Sequence, residues 1–177
     1  MTTMKQNPID LAWLAAAALM LAVLVGCQAK PVAKPEPPPQ RDWVSEIRAS
    51  AASLPSYVEV LPLNDPSVAD LRKLARLAEE ARRFVEAEKH LAMALALMPD
   101  DPDLWQWRAE VALADRRWQD AQTHARQSET LGPKLGGICV RNWMTLLAVA
   151  QETENVTAQA EARAKADACP VRAPVRL

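Results

Sequence analysis

The sequence predicts an all-α protein of six or seven helices, and three observations support this fold class. Residues 66–135 repeat with a period of 34 residues. Apolar side chains recur at steps of three and four residues, as one buried helix face requires. Asp65-Pro66 and Asp101-Pro102 each offer a carboxylate N-cap followed by proline at the first helical position. The superposed pairs that carry the repeat are Leu71 on Trp105, Ala75 on Ala109, Ala78 on Ala112, Phe84 on Trp118, Ala87 on Ala121, Leu91 on Ala125, Ala94 on Ser128 and Pro99 on Pro133.

Residues 1–26 are predicted to form a signal peptide that is removed on export. Fifteen apolar residues from Leu11 to Val25 follow a short polar segment that holds Lys5. This run is shorter than the roughly 20 residues that a membrane-spanning helix needs, and it fits a secretory h-region. Its ending, Leu24-Val25-Gly26-Cys27, resembles a bacterial lipobox. The resemblance implies that Cys27 carries lipid and becomes the first residue; the alternative is an ordinary apolar helix with an incidental cysteine.

Residues 27–41 are predicted to form a tether. Five prolines fall between Gln28 and Gln40, and such a composition favours extended polyproline II at about 3.1 Å per residue. A fully extended tether would hold the folded part roughly 30 to 40 Å from the headgroups. The alternative is a proline-rich ligand for the aromatic groove of a partner protein.

Residues 42–65 are predicted to form a helix over 42–54, followed by a capping segment. The helix is indicated by one apolar stripe, and the prolines at 55, 62 and 66 prevent its continuation. We expect Tyr57–Leu61 to run extended across the first repeat and to cover its open apolar edge. Trp43 and Tyr57 are interpreted as structural, with partner binding as the alternative. The stripe consists of Trp43, Ile47, Ala51 and Leu54.

The repeated part resembles the tetratricopeptide repeat (TPR), a helix-turn-helix unit that stacks into a solenoid. The resemblance rests on the 34-residue period and on the order of large, small, aromatic and proline positions given above. The two repeats span about 68–101 and 102–135. The TPR resemblance implies a short solenoid of two to three repeats, in which the first helix of each repeat lines a concave groove.

Residues 136–170 are predicted to form a third helical hairpin, with helices over Ile138–Gln151 and Val156–Ala168 and a tail at 171–177. The hairpin has the repeat's length without its signature alanines in register, so we interpret it as a degenerate repeat or cap. Cys139 begins one helix and Cys169 ends the next, which favours a disulfide in an exported protein. That bond would contribute roughly 3 to 4 kcal/mol. Two buried free thiols are the alternative, and a metal site there is disfavoured.

Catalytic and metal-binding patterns find little support. His90 and His124 occupy the same position of successive repeats and are expected roughly 10 Å apart, too far to share one metal. Glu79 and Glu80 point about 100° apart on a helix, so they cannot converge on one atom. The formal net charge of −1 provides no bulk attraction for nucleic acid. We therefore expect a protein that is not an enzyme, with no cofactor, no metal and no nucleic-acid partner.

A partner-binding groove is the remaining candidate site, and the TPR resemblance nominates its residues. Trp107 is added because Trp105 already fills the large consensus position, and two residues along a helix lie on different faces. An exposed indole is a plausible binding hot spot, with packing against the capping helix as the alternative. Each of the others has the alternative of being an ordinary exposed helix residue. The nominated set is Arg72, Arg76, Glu79, Asp103, Gln106, Trp107, Glu110 and Leu113.

These expectations combine into a lipid-anchored adaptor that binds a protein or peptide partner in the cell envelope. Gln28 after the lipidated cysteine lacks the aspartate typical of inner-membrane retention, so resemblance to Gram-negative lipoproteins implies the periplasmic face of the outer membrane. The alternative function is an accessory regulator that binds peptidoglycan or a cell-wall hydrolase, with Trp107 beside Gln106 and Glu110 as a sugar-stacking surface. The sequence leaves the partner and the oligomeric state open.

Overall fold

The structure is a computed structural model that describes residues 41–54 and 66–170. These residues form seven α-helices and contain no β-strand. The all-α prediction is confirmed for this part of the chain. The helices are α1 (Trp43–Ala52), α2 (Pro66–Glu80), α3 (Phe84–Leu97), α4 (Pro102–Ala114), α5 (Trp118–Leu131), α6 (Gly137–Glu152) and α7 (Val156–Ala168).

The last six helices form three hairpins that share one turn geometry. In each turn a non-glycine residue adopts the left-handed conformation, with φ of 56° at Arg82, 61° at Arg116 and 54° at Glu154. The N–H of the next residue donates to the carbonyl of an alanine five residues earlier, which is the Schellman pattern. These bonds are Arg83 to Ala78 (2.8 Å), Arg117 to Ala112 (2.9 Å) and Asn155 to Ala150 (2.8 Å).

The common turn also gives the register of the third hairpin. Aligned through it, Ala150 takes the place of Ala78 and Ala112, and Leu147 takes the place of Ala75 and Ala109. The third hairpin therefore keeps an alanine at one of the two alanine positions of the repeat, Ala150, and has the larger Leu147 at the other. The third hairpin carries extra residues before its turn, in the stretch around Gly136. The 34-residue period alone therefore does not give this register.

The hairpins pack in chain order, because α3 contacts α4 and α5 contacts α6. One apolar cluster joins the first hairpin to α4 through Leu91, Leu104 and Val111, all with no exposed surface. A second joins the third hairpin to α4 and α5, with Ala109 and Ala125 fully buried in it. Small residues let these helices approach closely, and the buried apolar area supplies the main stabilisation.

Helix α1 lies against α4 and α6, the first helices of the second and third hairpins. Asp42 caps it by accepting a 3.1 Å hydrogen bond from the backbone N–H of Ser45. Trp43, Val44 and Ile47 bury their side chains in a third cluster with Leu113 and Val149. We call the side formed by α2, α4 and α6, on which α1 lies, the inner face. Helix α1 thus covers the part of the inner face formed by α4 and α6, and not the outer edge of the first repeat.

Cys139 at the start of α6 and Cys169 after the end of α7 lie with their sulfur atoms at disulfide-bonding distance and their Cα atoms 5.6 Å apart. The two helix ends also meet through the backbone, since the N–H of Gly136 donates to the carbonyl of Cys169 at 2.8 Å. Gly136 adopts a φ of 83°, which a glycine tolerates without strain. These contacts hold the open end of the third hairpin together.

Several predictions concern residues outside the described ranges. They are the signal peptide, the lipidated Cys27, the proline-rich tether, the N-cap Asp65, the capping segment Tyr57–Leu61 and the tail. No helix in the described ranges is both long and apolar enough to span a bilayer.

Candidate binding site on the inner face

The inner face carries a connected network of arginines and carboxylates. Arg48 on α1 donates a 2.8 Å hydrogen bond to Glu79 on α2 and another of 2.8 Å to Glu110 on α4. Glu110 has no exposed surface, and Arg141 on α6 approaches its other oxygen at 2.7 Å. Because two guanidinium groups neutralise it, the buried carboxylate is compensated as burial of a charge requires.

The network continues towards the start of α4. Asp103 accepts a 2.7 Å hydrogen bond from Arg141 on one carboxylate oxygen and a 2.6 Å hydrogen bond from Arg72 on the other. Arg72 also donates to Asp101, which caps α4 through the backbone N–H groups of Asp103 and Leu104. Burial opposes ionisation of Asp103, but Arg141 and Arg72 outweigh it and hold the pKa of that carboxyl below its usual value.

Half of the nominated groove residues are buried beneath α1 or between helices, so they do not form an open surface. Gln106 and Glu110 have no exposed surface, and Leu113 is 2% exposed. The Gln106 amide donates to Glu110 at 3.0 Å and to Thr145 on α6 at 2.8 Å. Leu113 packs in the cluster that holds Trp43 and Ile47. Sequence reasoning treated the groove as empty, and it did not anticipate that the chain's own helix fills part of it.

The expectation that Trp107 is exposed is wrong. Its indole is 7% exposed and packs with the apolar cluster of the first hairpin, while Trp105 is only partly buried. The Trp107 ring N–H donates to Glu79 at 2.7 Å, and that of Trp105 donates to the carbonyl of Pro99 at 2.8 Å. Trp105 lies instead against His124 on α5, with ring centroids 5.5 Å apart. Trp107, on the inner face, is enclosed there by its polar partner Glu79.

An open cavity of about 320 Å³ remains on the inner face beside α1. Arg76 lines it with an exposed side chain whose guanidinium lies over the Trp107 ring, 5.6 Å from the ring centroid. Arg76 has no carboxylate partner among the described residues. The remaining nominated residues in the lining are already paired with each other or with α1. The cavity is lined by Arg48, Arg72, Arg76, Glu79, Asp103, Trp107 and Arg141.

The structure therefore brings five of the eight nominated residues to one cavity: Arg72, Arg76, Glu79, Asp103 and Trp107. It adds Arg48 and Arg141, which sequence reasoning missed. Arg141 takes the position of Asp103 when the third hairpin is aligned through its turn, so that alignment would have found it. Arg48 carries no comparable signal, because its role depends on where α1 docks.

The two histidines lie on the other helices of the hairpins and are largely covered. His124 stacks on Trp105 with ring centroids 5.5 Å apart and lies 3.7 Å from Glu88. Glu88 is in turn held by Arg108 at 2.9 Å and Arg117 at 2.5 Å. Within 41–54 and 66–170 no three His, Cys, Asp or Glu residues cluster as a metal site would require. His124 thus belongs to an ion cluster between the first two hairpins, whereas His90 lies 3.9 Å from Glu86 on its own helix.

Chemically, the cavity presents charged donors and a covered indole, and no serine, cysteine or histidine is among its lining residues. Such a set can bind and orient a polar group, and its lining offers no paired nucleophile and base. Comparison with protein-family models, curated proteins and solved structures finds no match to this chain.

Proposed function

We propose that this protein is an outer-membrane-anchored periplasmic lipoprotein with TPR-like repeats, acting as a non-enzymatic adaptor in envelope assembly. The lipobox-like ending at Cys27 and the proline-rich segment after it support the anchoring. The 34-residue period and the common hairpin turns support the repeat family. The inner face binds a segment of a partner protein.

One observation carries the docking role: the inner face is only partly occupied. Helix α1 covers α4 and α6, and it leaves the cavity between α2 and α4 open with Arg76 unpaired among the described residues. The occupied part shows what the face accommodates, since α1 inserts Trp43 and Ile47 there and pairs through Arg48. This is how a groove between helices receives a helical peptide segment.

A protein ligand is favoured over a glycan. The sugar-binding alternative depends on an exposed indole beside Gln106 and Glu110, but Trp107 is 7% exposed and both neighbours are fully buried. The guanidinium of Arg76 also lies over the Trp107 ring, 5.6 Å from its centroid. A stacking platform for a sugar ring is therefore missing at the place that motivated it.

The anchor is tested by cell fractionation of a Cys27→Ala variant beside the natural protein. Each buried acyl methylene contributes about 0.8 kcal/mol, so loss of the lipid is expected to release the protein from membranes. A variant that still sediments with outer membranes would contradict the lipid anchor. Separation of inner and outer membranes on a sucrose gradient tests the location.

The docking face is tested by photo-crosslinking in living cells. The crosslinking residue replaces exposed Ala69, which lies seven residues before Arg76 on the same face of α2 and takes the repeat position of Asp103. The matched control replaces exposed Lys89 on α3. A protein captured through position 69 and not through position 89 is the expected result. No capture, or equal capture at both, would contradict docking on the inner face.

A further inference from the structure

The acceptor atoms around the cavity are already used. Both oxygens of Glu79 have donors, since Arg48 reaches one at 2.8 Å and the Trp107 indole reaches the other at 2.7 Å. Both oxygens of Asp103 likewise have donors, Arg141 at 2.7 Å and Arg72 at 2.6 Å. A ligand that brings further N–H donors would have to displace an existing ion pair.

Donors, in contrast, are left over. The Nε of Arg72 is buried and has no hydrogen-bond partner among the described residues. The whole guanidinium of Arg76 is without a carboxylate there, and the Trp107 ring beneath it is fixed by Glu79. A guanidinium held in this way presents a planar fork of N–H groups that matches a carboxylate.

We propose that the cavity binds a single carboxylate, supplied by an acidic side chain in a peptide segment of the partner protein, and that Arg76 is its principal contact. This inference rests on the proposed docking function and specifies its chemistry. The carboxylate pairs with the guanidinium of Arg76, which is exposed and lines the cavity. The peptide backbone continues along α2, on the part of the inner face that α1 does not cover.

Charge balance selects a carboxylate over a phosphate. Three arginines, Arg48, Arg72 and Arg141, pair with four carboxylates, those of Glu79, Asp101, Asp103 and Glu110, and the unpaired Arg76 brings the sum of these formal charges to zero. Such a balanced site has no surplus positive charge for a dianion. A group of charge −1 gains the Arg76 contacts with less repulsion from Glu79 and Asp103.

The test uses the intact lipoprotein in detergent micelles and two probes: an end-blocked tetrapeptide with one glutamate, and its glutamine twin. Binding is followed through the Arg76 Nε–H and Trp107 indole N–H resonances. The glutamate peptide should shift both resonances, and Arg76→Gln should weaken its binding at least tenfold, with Arg76→Lys intermediate. Arg163→Gln, which changes an exposed arginine on α7, should have no effect.

Equal shifts with the glutamine twin, unchanged binding by Arg76→Gln, or stronger binding of inorganic phosphate than of the glutamate peptide would each overturn the inference. Tighter binding of a peptidoglycan stem peptide than of the glutamate peptide would also overturn it, in favour of a cell-wall ligand. Adding Arg76→Gln to the Ala69 crosslinking chain separates the two proposals. If the Arg76→Gln chain still captures the partner undiminished, the carboxylate contact alone is overturned. If the chain that keeps Arg76 captures no partner, docking itself is overturned.

Discussion

The guanidinium of Arg48 on α1 donates a 2.8 Å hydrogen bond to the carboxylate of Glu110 on α4, which has no exposed surface. This contact joins the N-terminal helix to the repeated part of the chain across 62 residues of sequence. Arg48 is itself 41% exposed, so its own desolvation is incomplete, while that of Glu110 is complete. The main effect of the pair is therefore to compensate the buried negative charge of Glu110.

We expect Arg48→Met to lower the free energy of unfolding by about 1–2 kcal/mol, because Glu110 keeps Arg141 but loses one charged donor in a buried setting. Urea unfolding followed by circular dichroism measures the change. Arg163→Met on exposed α7 is the control and should alter stability by less than about 0.5 kcal/mol. Equal stability of the two variants would show that the Arg48–Glu110 pair contributes nothing.

Ile47 tests the packing of α1 on the inner face. Its side chain has no exposed surface, so Ile47→Ala should cost about 2–4 kcal/mol if α1 unfolds with the rest of the domain. The same denaturation experiment measures it, and exposed Ala52 on α1 provides the control through Ala52→Ser. A cost below about 0.5 kcal/mol would mean that α1 is not docked as described.

The left-handed turn residues predict a stabilising substitution. Glu154 is exposed and has a φ of 54°, a conformation that costs a residue with a Cβ roughly 1 kcal/mol. Glu154→Gly should therefore raise the unfolding free energy by about 0.5–1 kcal/mol. Glu154→Ala removes the same carboxylate but keeps the Cβ, so it should not stabilise. A gain from alanine equal to that from glycine would show that charge, not backbone conformation, is responsible.

The bond between Cys139 and Cys169 predicts a defined thiol count. If Cys27 is lipidated as proposed, it is a thioether, and the mature protein should show no reactive thiol in denaturant without reductant. Two thiols should appear after reduction. Reduction should destabilise the domain by roughly 3–4 kcal/mol in the chain-entropy model. Two thiols that react before reduction would establish the free-thiol alternative.

His124 predicts a pH dependence of stability. Burial, followed by the nearby Arg108, lowers the pKa of His124 below its ordinary 6.5, although Glu88 opposes the change. Since the folded pKa is lower than the unfolded one, the unfolded state binds the proton more readily. The His124 contribution should be fully present above about pH 6.5 and should decline as the pH falls through the folded value.

The measurement is the unfolding free energy between pH 5 and 7.5, compared with that of His124→Phe. The phenylalanine keeps a ring beside Trp105 and cannot titrate, so the variant should lack this part of the pH dependence. Identical pH profiles for the two proteins would contradict the assignment.

The helices were predictable because their signals are local. Apolar spacing and the Asp101 cap place α4, and the 34-residue period transfers the same pattern between hairpins. The docking position of α1 was not predictable in this way. The stripe of Trp43 and Ile47 shows that one face is buried, but nothing in it specifies whether that face meets the edge or the inner face of the repeats.

The site, like the fold, was predictable only where it depends on signals within one helix or one repeat. Helix position places Arg72, Arg76 and Asp103 on one face, and in the structure all three line the cavity. It failed for Gln106, Glu110 and Leu113, because their burial depends on contacts with α1 and α6 that are distant in sequence. Trp107 failed for a related reason, since its polar partner Glu79 lies on a different helix.

The central claim is that a partner docks on the open part of the inner face while α1 stays in place. Deuterium exchange of the intact protein, with and without the protein captured through position 69, tests it most directly. We expect slower exchange in α2 and the first turns of α4, with α3 and α1 unchanged. Protection confined to α3, α5 and α7, or faster exchange in α1 as the partner displaces it, would contradict it.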